Sequence, residues 1–417
     1  MATLFGSVHV IFDSATDTVI PVGYDFSTDD VAFLCSETGR EALRLAESLA
    51  LQPDSLMADI GRLAVAYPGQ QAALVETVSC RRRAAGKLRH PHRWLLTSDA
   101  LQQATAYPVA DRRAAELAAR YPGATVHDVT CSVGADLASL TQADGLGGVI
   151  GSDIDQIRLA MAAHNVPQAA LARADALTPT SAADVYVADP ARRSGGRRSF
   201  RIEDTAPPLL ELLTVYAGRS LVVKCAPGLD YRLLRDRYGF TGEVQIISLS
   251  GAVREACLWN DPCPGVKRRA TVIRTDDEGF EITDAADDDA GVDDAGEWIM
   301  DPDGAVVRAG LVRHFAKAHR LWQLDPQIAY LSGDHLPKGE RGWRILEQFN
   351  FSEKHLKRRL GELGCGTLEI LVRGVDIDPD RLRKRLKLRG SAAHAVVITR
   401  IGRRGVMFIC EAGVRQR

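Results

Sequence analysis

This 417-residue chain has no apolar run long enough to cross a membrane, so a membrane-spanning class is not expected. Its first stretch, Met1 to Asp25, has apolar patches but lacks a basic segment and a long apolar core, and it carries acidic residues. A secretory leader is therefore not expected, and the chain reads as cytoplasmic. No C-x-x-C pair occurs among the eight scattered cysteines, Cys35, Cys80, Cys131, Cys225, Cys257, Cys263, Cys365 and Cys410. That excludes a disulfide framework or a zinc site as the organising principle, and the thiols should be reduced and mostly buried. No metal is expected.

What is present is an ordinary globular composition, 46% hydrophobic and 25% charged, with length enough for two or three cores. The net charge of -2 hides an uneven distribution. Residues 352–417 hold 16 Lys/Arg against 7 Asp/Glu, whereas residues 276–303 are dense in Asp. Local patches therefore matter more than the average.

Apolar residues at three- and four-residue spacing predict helices at Asp30–Leu34, Gly39–Leu51, Asp54–Tyr67, Gln70–Lys87 and Ser98–Arg120, with Asp54 and Ser98 as caps. From 121 to about 275 short strands alternate with helices. Ser220–Cys225 reads as a fifth strand, and Glu243–Leu249 with Ala256–Trp259 as an antiparallel pair closing the sheet. Asp276–Asp294 has too little apolar content for a core and reads as a solvated loop or hairpin. Beyond it, Val307–His319 and Gly342–Leu363 read as helices, followed by strand, helix, strand, strand to Cys410. The expected division is an N-terminal extension (1–28), a helical module (29–120), a ligand-binding α/β domain (121–275), an acidic insertion (276–303), and linker helices with a small α/β module (304–417).

Four signals stand in order at consecutive strand ends: Asp128-Val-Thr-Cys-Ser132-Val-Gly134-Ala-Asp136, Gly151-Ser-Asp153-Ile-Asp155, Ala174-Asp175-Ala-Leu177 and Ala188-Asp189-Pro190-Ala-Arg192-Arg193. Ligands bind at such ends in open α/β sheets. Small loop residues let the backbone approach a ligand, Asp153 suits ribose hydroxyls, and Asp175 suits the exocyclic amine of adenine. The order describes a pocket for S-adenosylmethionine, with Asp128, Ser132, Gly134, Asp136, Asp153 and Asp175 holding it and Asp189-Pro190 facing the target. A dinucleotide site is disfavoured, since the loop lacks the third Gly of G-x-G-x-x-G. Singly, an Asp after a strand is usually a helix cap.

Asp189 is the group that could orient an amine or take its proton. Ala191 follows Pro190 where an aromatic would stack a base, so the target atom stays open. Arg192, Arg193, Arg197, Arg198 and Arg201 follow directly, and suit phosphate. Further basic runs lie at Arg81–Arg83, Lys87, Arg89, His90, His92 and Arg93, and at Arg381, Arg383, Lys384, Arg385, Lys387 and Arg389. Three such patches favour an RNA track, although each alone could be a solvated face. Lys224 is a candidate contact for phosphate or the methionyl carboxylate. Cys225 is a weaker candidate nucleophile, and His127 and His164 read as structural.

With these residues assembled, the chain resembles the bacterial class I S-adenosylmethionine-dependent methyltransferases that carry a C-terminal THUMP-like domain. Landmarks are Ala100-Leu-Gln-Gln-Ala-Thr105, Asp128 to Asp136, Asp189-Pro-Ala-Arg-Arg193, Lys224-Cys-Ala-Pro-Gly228, Arg254-Glu-Ala-Cys-Leu-Trp259, Trp322 to Tyr330 and Glu369-Ile-Leu-Val-Arg-Gly374. The resemblance implies a Rossmann-like α/β fold with a seven-stranded sheet and a methyltransferase acting on RNA, with tRNA or rRNA as substrate. Ser132 and Ala135 depart from it, standing where related loops commonly have glycine. The alternatives are a non-catalytic RNA-binding protein with a vestigial fold, and a methyltransferase acting on DNA, protein or a small molecule.

Overall fold

The computed structural model describes residues 9–13, 18–192, 204–275 and 278–416. Its contacts divide it into two compact units, residues 1–233 with Leu258–Asp261, and 234–257 with 262–417. The division thus falls inside the expected α/β domain, not at its end. No helix among the described residues is long and apolar enough to cross a membrane.

The first unit opens with an antiparallel pair, β1 (His9–Asp13) and β2 (Thr18–Val22). A helical module follows: α1 (Thr28–Cys35), α2 (Glu37–Ser48), α3 (Leu56–Ala66), α4 (Gln71–Arg83), α5 (Ser98–Gln103) and α6 (Tyr107–Arg120). Ser27 and Asp30 form a capping box that starts α1. Two expected caps move by one residue. Thr97, not Ser98, accepts the amide of Ala100, and Ser55, not Asp54, is the N-cap of α3, with no side-chain cap bond. The single helix expected over Ser98–Arg120 is two, because Pro108 sits in the first turn of α6 and disfavours helix just before it. Leu34, Leu63, Leu74, Leu95 and Leu96 fill the core of this module, joined by Val133 and Met161 from the α/β region.

Next come β3 (Thr125–Asp128), α7 (Ala135–Leu140), β4 (Gly148–Asp153), α8 (Gln156–Asn165), β5 (Ala170–Arg173), β6 (Val185–Ala188), a short pair β7 (Ala191–Arg192) and β8 (Thr205–Ala206), α9 (Leu209–Val215) and β9 (Ser220–Cys225). Parallel pairing gives the order β9-β6-β3-β4-β5. Beyond β9 the backbone of Asn260 donates to Leu221 O, and Asn260 Oδ1 accepts the Leu221 amide. Chain order reverses between β3 and β6, which makes a crevice at the carboxyl ends of these two strands.

The second unit takes up the chain within α10 (Tyr231–Tyr238). β10 (Glu243–Leu249) and β11 (Ala252–Trp259) are joined by Ser250-Gly251, both at positive φ as a tight hairpin requires. The expected pair is therefore present but does not close the sheet, because β12 (Arg268–Ile273) and β13 (Phe280–Thr283) continue it beyond β10, β12 parallel to β10 and antiparallel to β13. The remainder is β14 (Trp298–Met300), α11 (Gly304–Arg308), α12 (Val312–Ala318), β15 (Trp322–Gln323), β16 (Leu331–Gly333), β17 (Arg341–Asn350), α13 (Glu353–Glu362), β18 (Cys365–Arg373), α14 (Pro379–Leu386), β19 (Ala392–Ile401), β20 (Arg404–Glu411) and β21 (Val414–Arg415). These strands build a sheet in the order β15-β16-β14-β17-β20-β19-β18, with β21 on β17. Leu356 and Leu360 of α13 and Leu382 and Leu386 of α14 pack on one face with Val396, Ile398, Met407 and Ile409. Tyr330, Trp343, Val397 and Phe408 fill the other.

One expectation fails in this unit. Gly342–Leu363 is not one helix but β17 followed by α13. Ile345 and Phe349 stand four apart and mimic a helical face, whereas exposure alternates with period two to Asn350 and Ser352 caps α13. In the stretch expected as an acidic loop or hairpin, β13 pairs antiparallel with β12, β14 joins the second sheet, and residues 285–289 and 291–294 are exposed. Between them Asp284 accepts from the Lys267 and Arg268 amides and from Arg268 Nε, and Asp289 pairs with Lys317.

Candidate active site

The four predicted signals meet at the carboxyl ends of β3, β4, β5 and β6. They line a cavity of about 520 Å³ with Asp128, Ser132, Asp136, Asp153, Asp175 and Asp189 in its wall, a size suited to a nucleoside-bearing ligand. After β3 the chain turns through Ser132 at φ 49° and Gly134 at φ 89°, both left-handed. Gly134 is favoured by its φ, and a Cβ there would also stand a tight 3.0 Å from a Val166 methyl. Ser132 holds the same backbone region without glycine's freedom, which answers its departure from the family loop. Its amide donates to Asp153 Oδ2 at 2.9 Å, while Asp155 N donates to Asp153 Oδ1 at 2.9 Å. Asp153 is thereby fixed at the mouth of the cavity with lone pairs left to accept hydroxyls. Asp175 is exposed at the rim, and accepts the Leu177 amide at 2.9 Å.

Beneath the cavity lies a buried ionic cluster. Lys224, on β9, is 4% exposed and donates to Asp136 Oδ2 at 2.8 Å, Asp189 Oδ2 at 2.5 Å and Thr105 Oγ1 at 2.5 Å. Asp136 also takes a bond from the buried Arg113. Burial pushes the Asp136 carboxyl up, but Lys224 and Arg113 more than offset this and hold it well below the usual carboxylate range. Asp128 has the opposite fate. Burial, with Asp136 and Asp189 nearby, raises its carboxyl to about 7 against the pull of the Thr130 amide and Lys224. Asp189 is tethered at its backbone too, its amide donating to Thr130 Oγ1 at 2.6 Å, while its side chain stays 40% exposed.

Lys224 is therefore no surface contact for phosphate: its three ammonium hydrogens are engaged inside the protein. Sequence reasoning missed Thr105 and Arg113, which come from the helical module, and Ala100, Gln103 and Ala104, which line the cavity from α5 and its end. The signal was at hand in the Ala100–Thr105 landmark. Arg158 of α8 also lines the cavity, paired with Asp99 at 2.6 Å. Cys225 is not among the lining residues. His127 is buried between Ser181 and Ser152, and burial pushes it down to about 4; His164 meets Cys35 and the carbonyl of Arg93. Of the loop arginines, Arg192 lies in β7, next to the lining residue Ala191, while Arg193, Arg197, Arg198 and Arg201 lie outside the described residues.

Two proteins of Mycobacterium tuberculosis, from strains CDC 1551 / Oshkosh and ATCC 25618 / H37Rv, both carry the name uncharacterized S-adenosylmethionine-dependent methyltransferase. Each is 55% identical to this chain over 341 residues, 79% of this chain and 92% of its own length. The chain belongs to the S-adenosylmethionine-dependent methyltransferases. S-adenosylmethionine is its cofactor, and a wall of left-handed loop residue Ser132 and strand-end carboxylates fits such a group. A solved candidate methyltransferase of Porphyromonas gingivalis W83 shares the methyltransferase's fold, at 20% identity and a TM-score of 0.72 over 93% of this chain and 100% of that one. Residues 340–412 of the methyltransferase match a family described as THUMP domain-like. That stretch runs from β17 to β20.

Proposed function

We propose that this methyltransferase acts on RNA, with tRNA or rRNA as the substrate class. The observation that carries the reading is the THUMP-like match over 340–412, a region whose helices α13 and α14 turn apolar leucines inward and leave Lys357, Arg358, Arg381, Lys384 and Lys387 exposed. The arginines at 192–201 follow the cavity wall in sequence and suit phosphate, though only Arg192 is described, as backbone.

In this reading Asp153 receives the ribose hydroxyls, Asp175 the adenine amine, and the Ser132–Gly134 loop the methionyl end. Asp128 and Asp136 close the floor, and Asp136 acts through Lys224. S-adenosylmethionine supplies a methyl group already activated on sulfur, so the protein has only to align a nucleophile and manage its proton. Asp189 is the residue for that task. Lys224 fixes its carboxylate and the Thr130 hydroxyl fixes its amide. The arginines hold the RNA backbone.

The test is transfer of tritiated methyl from S-adenosylmethionine to total RNA from a strain lacking the gene. Label in an RNase-sensitive fraction, lost in Asp189→Asn, is expected. Label confined to DNA, protein or small molecules would overturn the substrate class, and tight RNA binding without transfer would favour the vestigial alternative.

A further inference from the structure

Among the described residues, the cluster beneath the cavity holds three carboxyls and two cations. Its carboxyls are Asp128 at the end of β3, Asp136 on α7 and Asp189 after β6; its cations are Lys224 on β9 and Arg113 on α6. The ammonium of Lys224 gives its hydrogens to Thr105, Asp136 and Asp189, and Arg113 serves Asp136, so Asp136 and Asp189 are matched. Asp128 is 3% exposed and accepts a bond from the Thr130 amide at 3.0 Å. The other titratable group facing it is the Cys131 thiol of its own loop, which burial pushes well up and keeps neutral. His127, the preceding residue, turns to Ser152 and Ser181 instead. Asp128 also lines the cavity, where among the described residues six carboxylates face the single guanidinium of Arg158.

We propose that Asp128 makes this pocket read the charge on the cofactor's sulfur, so that ionised Asp128 favours S-adenosylmethionine over S-adenosylhomocysteine. Methyl transfer leaves the electron pair of the broken carbon–sulfur bond on sulfur, which turns a cationic sulfonium into a neutral thioether while the methyl group bonds to the acceptor. The same pocket then holds a product with one positive charge fewer beside an uncompensated carboxylate. A proton returns to Asp128 and the product leaves. The pocket is thereby selective for charge as well as shape, and Asp128 is its specificity-determining residue. The placement of Asp128 near 7 by burial and by Asp136 puts this exchange in the physiological range.

This inference rests on the cofactor assignment of the cavity, and the experiment separates the two. Calorimetric titration of the full chain with S-adenosylmethionine and with S-adenosylhomocysteine is run between about pH 6 and about pH 8, for the native protein and Asp128→Asn. The preference for the sulfonium ligand should grow about tenfold over that range, the change in ionised fraction of one carboxyl titrating near 7. In Asp128→Asn that growth should vanish while S-adenosylhomocysteine still binds. An Asn variant that keeps the native pH-dependent preference overturns the proposal. Should the variant fail to fold, the native protein decides alone: binding heats in two buffers of different ionisation enthalpy should report proton release with S-adenosylmethionine and little with S-adenosylhomocysteine. Equal release with both ligands refutes the proposal. Failure of the native protein to bind either ligand refutes the cavity assignment itself.

Discussion

Two arginine-rich segments read alike in the sequence and do opposite things in the fold. In the first, between Arg81 and Arg93, the cations serve their own unit. Arg81 is buried, bonded to Glu47 and to the carbonyl of Trp94. Arg82 donates to the carbonyls of Glu47, Leu49 and Ala50 and so closes the C-terminus of α2. Arg83 reaches Ser98, Lys87 binds the Leu101 and Gln102 carbonyls, and Arg89 pairs with Asp111. In the second segment, on and after α14, Arg381, Lys384, Lys387 and Arg389 stand in solvent, and the ion pairs of Arg381 and Arg383 are with acids of the same helix start. Arg385 pairs with Glu353. A run of cations identifies a binding surface only after its internal acceptors have been counted. By that count Arg81 leaves the proposed RNA track, whereas Arg82, Arg83, Arg89, His90, His92 and Arg93 stay exposed.

The comparison is sharpest for Lys224, a cation only 4% exposed. Lys224→Met should leave Asp136 and Asp189 without their shared partner and cost about 3–5 kcal/mol in chemical denaturation, with methyl transfer lost. Little change in stability would mean that the cluster is solvated. Arg81→Gln comes next, with a loss of about 2–3 kcal/mol because Glu47 and the Trp94 carbonyl lose a charged donor. RNA affinity of the folded variant should be unchanged; a drop would return Arg81 to the proposed RNA track. Arg82→Ala should cost about 1 kcal/mol, the scale of a lost helix terminus interaction, read as a lower melting temperature. Smallest in stability is the joint replacement of Arg381, Lys384, Lys387 and Arg389 by Gln, expected within about 0.5 kcal/mol of the native protein. The same variant should bind RNA more weakly, with a shallower dependence on salt. Unaltered RNA binding would remove α14 from the substrate path.

The strand-end carboxylates were legible because each sits at a change of local pattern, from an apolar strand to a small or polar loop. Asp128, Asp153, Asp175 and Asp189 all line the cavity that their spacing predicted. The ionic cluster was not legible, since Thr105 and Arg113 lie upstream of the sheet and reach Asp136 only through folding. Lys224 did carry a hint: a lysine inside Leu221-Val-Val-Lys224 must find buried partners, and the reading assigned it an external one. Secondary structure failed where two periodicities coincide, as at Ile345 and Phe349, and where one proline divides a long helical pattern, as at Pro108.

The central claim is that the crevice between β3 and β6 is the cofactor site, and calorimetry tests it most directly. Native protein should bind S-adenosylmethionine, and Asp153→Ala should bind it at least tenfold more weakly, the loss expected when a carboxylate no longer meets its ligand hydroxyls. Unchanged affinity in a folded Asp153→Ala variant would contradict the account and place the cofactor elsewhere.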